Sequence, residues 1–247
     1  MTAESSLREA DLQSLTARSA LSPVLPGTAF VDPDSAEAVR VHLDNVVPAL
    51  ESLRSQSGRL AAWGVELAQR LLRGQRLLAA GNGGSAAEAQ HLTAELVGRF
   101  DGERVPFSAI SLHAESSAVT AIANDYGYDD VFARQVRAHG RSGDVLILLS
   151  TSGKSPNLLR AAEVAARLNI TTWALTGAGP NPLAGACGQA VMIDALNANA
   201  QEGHLIALHA ICRAFDLEVA RHSSTDTWSV QGQGLQSPGP QQWGGRA

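Results

Sequence analysis

Five short apolar runs alternate with helix-forming segments along the middle of the chain, and this alternation constrains the fold more than any other feature. The runs cover residues 76–81, 107–113, 144–150, 171–177 and 189–194. Each run is continuously apolar, which is typical of strands buried on both faces of a parallel sheet. Because parallel neighbours need crossover connections, the pattern predicts an α/β domain in three layers, α/β/α, around a five-stranded parallel sheet.

The segments on either side of this region differ from it. Apolar residues recur at helical spacing between Ser35 and Arg73, which predicts a pair of helices before the first strand. The first residues are rich in Pro and small residues, and the last are rich in Gly, Pro, Gln and Ser. We therefore expect a flexible extension over residues 1–34, a single domain over 35–222 and a flexible tail over 223–247.

Composition excludes several classes of protein. The chain has 247 residues, 45% of them hydrophobic, and a formal net charge of −5, so it lacks the basic surface typical of nucleic-acid binding. No apolar run approaches the roughly 20 residues that span a bilayer, and the amino terminus does not resemble a secretion signal. Since Cys187 and Cys212 are the only cysteines in the sequence, we expect reduced thiols in a cytoplasmic protein. From the charge and the short apolar runs, we expect no nucleic-acid or membrane partner.

Two of the turns that follow predicted strands are unusual. The first reads Gly-Asn-Gly-Gly-Ser over residues 81–85, and the second reads Ser-Thr-Ser-Gly-Lys-Ser-Pro-Asn over 150–157. Either could be an ordinary helix-capping turn, and neither fits the dinucleotide fingerprint or the P-loop pattern. However, ligands of open parallel sheets bind beyond the carboxyl ends of the strands. Two such turns on one sheet favour a phosphorylated small molecule, held by hydroxyl and amide groups.

Titratable side chains follow the first turn and recur near the carboxyl end of the chain. His91 and Glu95 are four residues apart on a predicted helix, so they share a face and could bind one metal ion or form an ordinary ion pair. Gln201 and His209 are eight residues apart, about 12 Å along a helix, so they reach one site only if the helix starts late or two copies contribute. His204 could join them or be a solvated residue.

Several motifs in order, from about Val39 to Ala220, resemble the sedoheptulose 7-phosphate isomerases, or phosphoheptose isomerases, of the sugar isomerase (SIS) fold. The motifs are AAGNGGSAAEAQHLTAELVGRF, AIANDYGYDDVFARQV, GDVLILLSTSGKSPN and QEGHLIALH. The resemblance implies a flavodoxin-like sheet, a homotetramer with active sites at subunit interfaces, and one zinc ion per subunit. It also implies a phosphorylated sugar as substrate.

The resemblance also assigns roles to individual residues. The implied zinc ligands are His91, Glu95, Gln201 and His209. The implied phosphate-binding hydroxyls belong to Ser85, Ser150, Thr151, Ser152 and Ser155. Sugar binding or site organisation is implied for Asn82, Gly83, Gly84, Glu95, Arg99, Asn124, Asp125 and Gln201.

The implied reaction converts sedoheptulose 7-phosphate into D-glycero-D-manno-heptose 7-phosphate through an enediolate, the first step of nucleotide-activated heptose biosynthesis. Such a reaction needs a base beside the carbonyl and a group that moves protons between oxygens, and we assign these roles to Glu95 and His209. Two alternatives remain open: isomerisation of another phosphosugar, or a non-catalytic role as a regulator or a replication-initiator-binding protein. Non-catalytic relatives tend to lack the acidic residue at position 95, which favours the enzyme.

Overall fold

The computed structural model describes residues 32–226 of the chain. The expected flexible segments therefore lie largely outside the described residues. The chain divides into two units, residues 1–41 and 42–247. In the first unit, residues 33–41 are helical, and the guanidinium of Arg40 pairs with the carboxylate of Glu37. The sheet and all the candidate site residues belong to the second unit.

Five parallel strands form one sheet. They are β1 (Leu77–Gly81), β2 (Ala109–Ser111), β3 (Val145–Ser150), β4 (Thr171–Thr176) and β5 (Gln189–Met192). Their order is β2-β1-β3-β4-β5, and every neighbouring pair is parallel. This is the flavodoxin-like order, so the predicted fold class and all five predicted strands are confirmed.

The helices precede the sheet and connect its strands. They are α1 (Pro33–Asp44), α2 (Val46–Ser55), α3 (Ser57–Leu72), α4 (Gly84–Val97), α5 (Ser116–Tyr126), α6 (Val131–His139), α7 (Pro156–Arg167), α8 (Pro182–Ala186) and α9 (Asn197–Asp226). A 3-10 turn, Tyr128–Asp130, lies between α5 and α6. Within residues 32–226, no helix is long and apolar enough to cross a membrane.

Alternate side chains of the central strands enter two separate cores. Leu77 and Ala79 pack with residues of α2, α3, α4 and α9, whereas Leu78 and Ala80 pack with residues of α6 and α7. In the first core, the rings of Trp63 and Trp173 stack with centroids 4.7 Å apart. The sheet is therefore covered by helices on both faces, which explains why the strand sequences are continuously apolar.

The predicted amino-terminal helical pair is present, but its first member is divided. Pro48 lacks a backbone N–H, and its ring clashes with the carbonyl group four residues earlier in a continuous helix. That carbonyl belongs to Asp44, where α1 ends, and α2 begins at Val46. Both cysteines, at positions 187 and 212, carry free thiols as expected.

Candidate active site

The two unusual turns lie side by side. Strands β1 and β3 are neighbours, with Gly81 paired to Leu149 in the register of the sheet. Because the strands are parallel, the turns after Gly81 and Ser150 leave the sheet at the same edge. The structure thus brings together the two segments that sequence analysis assigned to phosphate binding.

The first turn feeds directly into helix α4. Gly83 has φ +55° and ψ −125°, a conformation that side chains with a Cβ rarely adopt. Its carbonyl accepts hydrogen bonds from the N–H groups of Ala86 and Ala87, at 3.1 and 3.3 Å. The N–H groups of Gly84 and Ser85, at the start of the helix, have no intrahelical acceptor and can bind an anion.

The second turn gathers three serine hydroxyls. Oγ of Ser150 lies 3.4 Å from Oγ of Ser152 and 3.5 Å from Oγ of Ser155, and it accepts a hydrogen bond of 3.1 Å from the N–H of Gly153. Thr151 is half-buried, and its carbonyl accepts a hydrogen bond from Gly177. Three hydroxyls and nearby amides at this separation form a cradle of the right chemistry for a phosphate group.

A cluster of metal-ligating side chains forms between α4 and α9. Nε2 of His91 lies 2.9 Å from Nε2 of His209 and 3.1 Å from Oε1 of Glu95. One ligand atom from each of the three residues lies within 4.8 Å of the others. Two imidazole nitrogens and a carboxylate oxygen are the donor set that zinc prefers, so these residues fit the metal that sequence analysis expected.

Aromatic packing fixes one side of this cluster. The ring of Phe100 lies 5.3 Å from the ring of His209, centroid to centroid. The guanidinium of Arg213 lies over the ring of Phe100, 5.1 Å from its centroid. His209 is thus restrained through its ring, which leaves its Nε2 directed at His91.

Gln201 lies apart from these three residues. It precedes His209 by eight positions within α9, so about 12 Å of helix separates their backbones. Its side chain instead packs against the first turn, since a Cβ on Gly84 would come within 2.0 Å of the Gln201 Nε2. A cavity of about 560 Å³ is lined by Gly84, Ala87, Glu88, His91, Ala198, Gln201, Glu202 and Leu205. Gln201 and His91 therefore face a common cavity.

A buried pair lies beside the cavity. His204 is 0% exposed, and its Nδ1 lies 3.7 Å from Oε2 of Glu88. Both ring nitrogens of His204 lack a hydrogen-bond partner among the described residues. The alternative that His204 is a solvated residue is therefore wrong, because α9 turns this position toward α4 and the core.

The remaining expected site residues are exposed. The Nδ2 group of Asn124 donates to the carboxylate of Asp125 at 2.9 Å, and Arg99 donates to the backbone carbonyl of Asp101 at 3.1 Å. Within residues 32–226, none of Arg99, Asn124 and Asp125 forms a hydrogen bond to the cluster of His91, Glu95 and His209 or to either turn. The structure does not bring these three to the site of the same chain.

Asn157 and Tyr128, which sequence analysis did not assign to the site, contact it through Asn82. The amide groups of Asn82 and Asn157 exchange two hydrogen bonds of 3.0 Å, and the hydroxyl of Tyr128 donates to Oδ1 of Asn82 at 3.2 Å. The available signal was that both asparagines stand within the two unusual turns. The contact itself joins residues 75 positions apart, and no periodic pattern indicates it.

Comparison with known proteins identifies similar chains over most of this length. A family model described as SIS domain matches residues 42–177. Phosphoheptose isomerase from Streptomyces coelicolor is 58% identical over 181 residues, which cover 73% of this chain and 78% of that protein. The corresponding enzyme from a Bradyrhizobium species is 44% identical over 166 residues, covering 67% and 82%.

Solved structures give the same result. Phosphoheptose isomerases from Neisseria gonorrhoeae and Francisella tularensis match with TM-scores of 0.68 and 0.70, at 36% and 31% sequence identity. Each match covers 74% of this chain and 98% of the solved chain. The family-model match over residues 42–177 includes strands β1 to β4, both turns, and His91 and Glu95.

Proposed function

We propose, since this chain belongs to the SIS-domain family of phosphoheptose isomerases, that it isomerises a phosphorylated ketoheptose. The reaction converts sedoheptulose 7-phosphate into D-glycero-D-manno-heptose 7-phosphate and begins the synthesis of nucleotide-activated heptose. The observation that carries this proposal is the position of a carboxylate and two imidazoles, Glu95, His91 and His209, within one small cluster. The cluster adjoins helix α4, whose first turn follows the glycine-rich loop.

The reaction moves one proton between carbons and one between oxygens. Glu95 accepts the proton from C1 of the ketose, which gives an enediolate, and returns a proton to C2. His209 donates a proton to the oxygen on C2 and accepts the one on the C1 oxygen. C1 is oxidised to the aldehyde and C2 is reduced to the alcohol, so no external electron donor is required.

Glu95 can act as a base while it remains part of the cluster. Its Oε1 lies against Nε2 of His91, at 3.1 Å. The carboxylate has a second oxygen, and this atom can take the proton without loss of the contact to His91. His91 thus orients Glu95, and the ring packing of Phe100 orients His209.

The metal belongs to the same proposal. His91, Glu95 and His209 would hold a zinc ion, one per subunit, with Gln201 as the fourth ligand from the adjoining cavity. When bound, zinc polarises the substrate carbonyl and so acidifies the neighbouring C–H group. The support for zinc is the mixed nitrogen and oxygen donor set of the described side chains.

The phosphate end of the substrate is assigned to the two turns. Ser150, Ser152 and Ser155 supply hydroxyl groups, and the start of α4 at Ser85 supplies free amide hydrogens. The second turn also carries Lys154, the single lysine among all 247 residues. Lys154 is exposed and forms no ion pair within residues 32–226, so its charge is available to a phosphate dianion.

We propose further that the enzyme is a cytoplasmic homotetramer with its sites at subunit interfaces. The support is that Arg99, Asn124 and Asp125 are exposed and do not reach the site of their own chain. In a tetramer, these side chains can complete the site of a neighbouring copy. Exposed apolar side chains on α2 and α9 offer surface for such contacts, namely Val47, Leu50, Leu205, Ile206 and Leu217.

A substrate panel tests the proposed function. The purified protein is incubated separately with sedoheptulose 7-phosphate, fructose 6-phosphate and arabinose 5-phosphate, and the products are followed by NMR. We expect conversion of the heptulose phosphate and little or none of the shorter sugars. Preference for a shorter sugar would keep the isomerase but change its substrate, and a folded protein inert toward all three would favour a binding role.

A further inference from the structure

The Asn82–Asn157 pair links the two turns of the site through side-chain hydrogen bonds. Asn157 is the second residue of α7 and is only 2% exposed. Its Nδ2 group donates to Oδ1 of Asn82, and Nδ2 of Asn82 donates back to Oδ1 of Asn157, both at 3.0 Å. A buried amide without a partner is costly, so Asn157 is accommodated here because Asn82 satisfies it.

Tyr128 also donates a hydrogen bond to Asn82. Its hydroxyl donates to the same Oδ1 at 3.2 Å, while its ring is 55% exposed. The oxygen of Asn82 therefore accepts two hydrogen bonds, and one of the two hydrogens on its Nδ2 is used by Asn157. Among the described residues, the second hydrogen on Nδ2 has no acceptor, so it is available to a ligand.

We propose that Asn157 is a positioning residue of the isomerase site, an inference that rests on the proposed function. It acts through Asn82: the double hydrogen bond fixes the orientation of the Asn82 amide, so that the free N–H donates to an oxygen of the sugar. Tyr128 holds the same amide from the exposed side. The serine hydroxyls bind the phosphate independently of this amide pair.

A double-mutant cycle tests this role. The variants are Asn157→Leu, which keeps the branched shape of the side chain but removes both hydrogen bonds, Asn82→Ala, and the two combined. We expect Asn157→Leu to lower kcat/KM for sedoheptulose 7-phosphate about tenfold, the loss typical of one hydrogen bond. In the Asn82→Ala background, the same change should lower kcat/KM less than twofold. Inhibition by inorganic phosphate should be unchanged in all variants.

Tyr128→Phe provides a second route that does not disturb the core. It removes the hydroxyl and leaves the exposed ring, and we expect kcat/KM to fall about threefold in the native background, with no fall when Asn82 is alanine. This variant carries the test if Asn157→Leu does not fold. Gln135→Leu is the matched control, because it removes another buried side-chain amide. The Nε2 group of Gln135 donates to the Val131 carbonyl at 2.9 Å. It should lower thermal stability without lowering kcat/KM.

The outcomes separate this inference from the proposed function. A native protein that does not convert sedoheptulose 7-phosphate overturns the proposed function and the positioning role together. An active native protein in which the substitutions at 157 and 128 lower kcat/KM equally with and without Asn82 overturns the positioning role alone. Weakened inhibition by phosphate in Asn157→Leu would also overturn it, since the defect would then lie in the turn as a whole.

Discussion

Nε2 of His91 and Nε2 of His209 lie 2.9 Å apart, although 118 positions separate the two residues in the sequence. One belongs to α4 and the other to α9, and Oε1 of Glu95 completes the group at 3.1 Å from His91. Two imidazole nitrogens this close cannot both carry a proton between them without repulsion. They either share one proton or bind one cation, and both states suit a site that moves protons.

Loss of His91 is expected to abolish specific metal binding. His91 contacts both other members of the cluster, so His91→Ala should weaken zinc affinity by about 100-fold or more. Removing a residue that only hydrogen-bonds a metal ligand typically weakens metal affinity by about 10–100-fold, and the loss of a ligand should exceed that. Metal content after dialysis against a chelator and reloading, measured by mass spectrometry, provides the test. His139→Ala, at an exposed position on α6, is the control. Equal zinc content in both variants would contradict the assigned site.

Two glycines of the first turn should respond differently to alanine. A Cβ on Gly81 would lie 2.4 Å from the backbone oxygen of Ser85, which cannot move away, so Gly81→Ala should lower the free energy of unfolding by about 1–3 kcal/mol. The three atoms nearest to a Cβ on Gly84 would all belong to the flexible end of Gln201. Gly84→Ala should therefore fold normally, displace Gln201 and weaken zinc binding.

Thermal unfolding and zinc titration of both variants separate these effects. The pair also tests Gln201 as a ligand, because Gly84→Ala changes its position without changing its chemistry. Zinc affinity equal to that of the native protein in Gly84→Ala would remove Gln201 from the ligand set. A Gly81→Ala variant as stable as the native protein would show that the turn can open.

Lys154 is expected to act on substrate affinity rather than on the chemical step. It belongs to the serine turn and not to the cluster assigned to proton transfer, so Lys154→Gln should raise KM several-fold and leave kcat within about twofold. Higher ionic strength should reduce the difference between the two proteins, because an exposed charge is screened. Steady-state kinetics at two salt concentrations provides the measurement. A fall in kcat at unchanged KM would place Lys154 in the chemistry instead.

The two thiols should be unreactive near neutral pH. Burial raises the pKa of Cys187 to about 11, and the hydrogen bond of this thiol to Thr172 opposes the shift to a smaller extent. Burial, together with the nearby charge of Glu95, raises the pKa of Cys212 to about 12. A raised pKa depletes the reactive thiolate, so alkylation by iodoacetamide should accelerate with pH up to about 11. At pH 8 the native Cys187 thiol should react roughly a hundredfold, and the native Cys212 thiol roughly a thousandfold, more slowly than the same thiols in the unfolded chain. Equal rates would show that the thiols are open to solvent.

The sequence predicts the layers and the sheet because buried parallel strands leave a continuous apolar signal, as at residues 144–150. The turns at Gly81 and Ser150 can also be predicted from the sequence, since they combine glycine and hydroxyl residues immediately after strands. The Asn82–Asn157 bond and the burial of His204 depend on tertiary packing and have no local signature. The division of the first helix was missed because the effect of Pro48 falls four residues upstream.

The site residues show a similar contrast. The spacing of His91 and Glu95 indicates a shared helix face, whereas only the family resemblance joined them to His209. The eight-residue separation of Gln201 and His209 remained ambiguous, and the structure places Gln201 against Gly84. Distances across two helices are set by how the helices pack, which residue spacing along one helix does not specify.

The central claim, that Glu95 is the base of a phosphoheptose isomerase, is tested most directly with native protein and Glu95→Gln side by side. Each is incubated with sedoheptulose 7-phosphate, and the appearance of the aldoheptose 7-phosphate is followed by NMR, with inorganic phosphate binding measured in parallel. We predict conversion by the native protein and none by Glu95→Gln, with equal phosphate binding. Conversion by Glu95→Gln at the native rate, or no conversion by the folded native protein, would contradict the account.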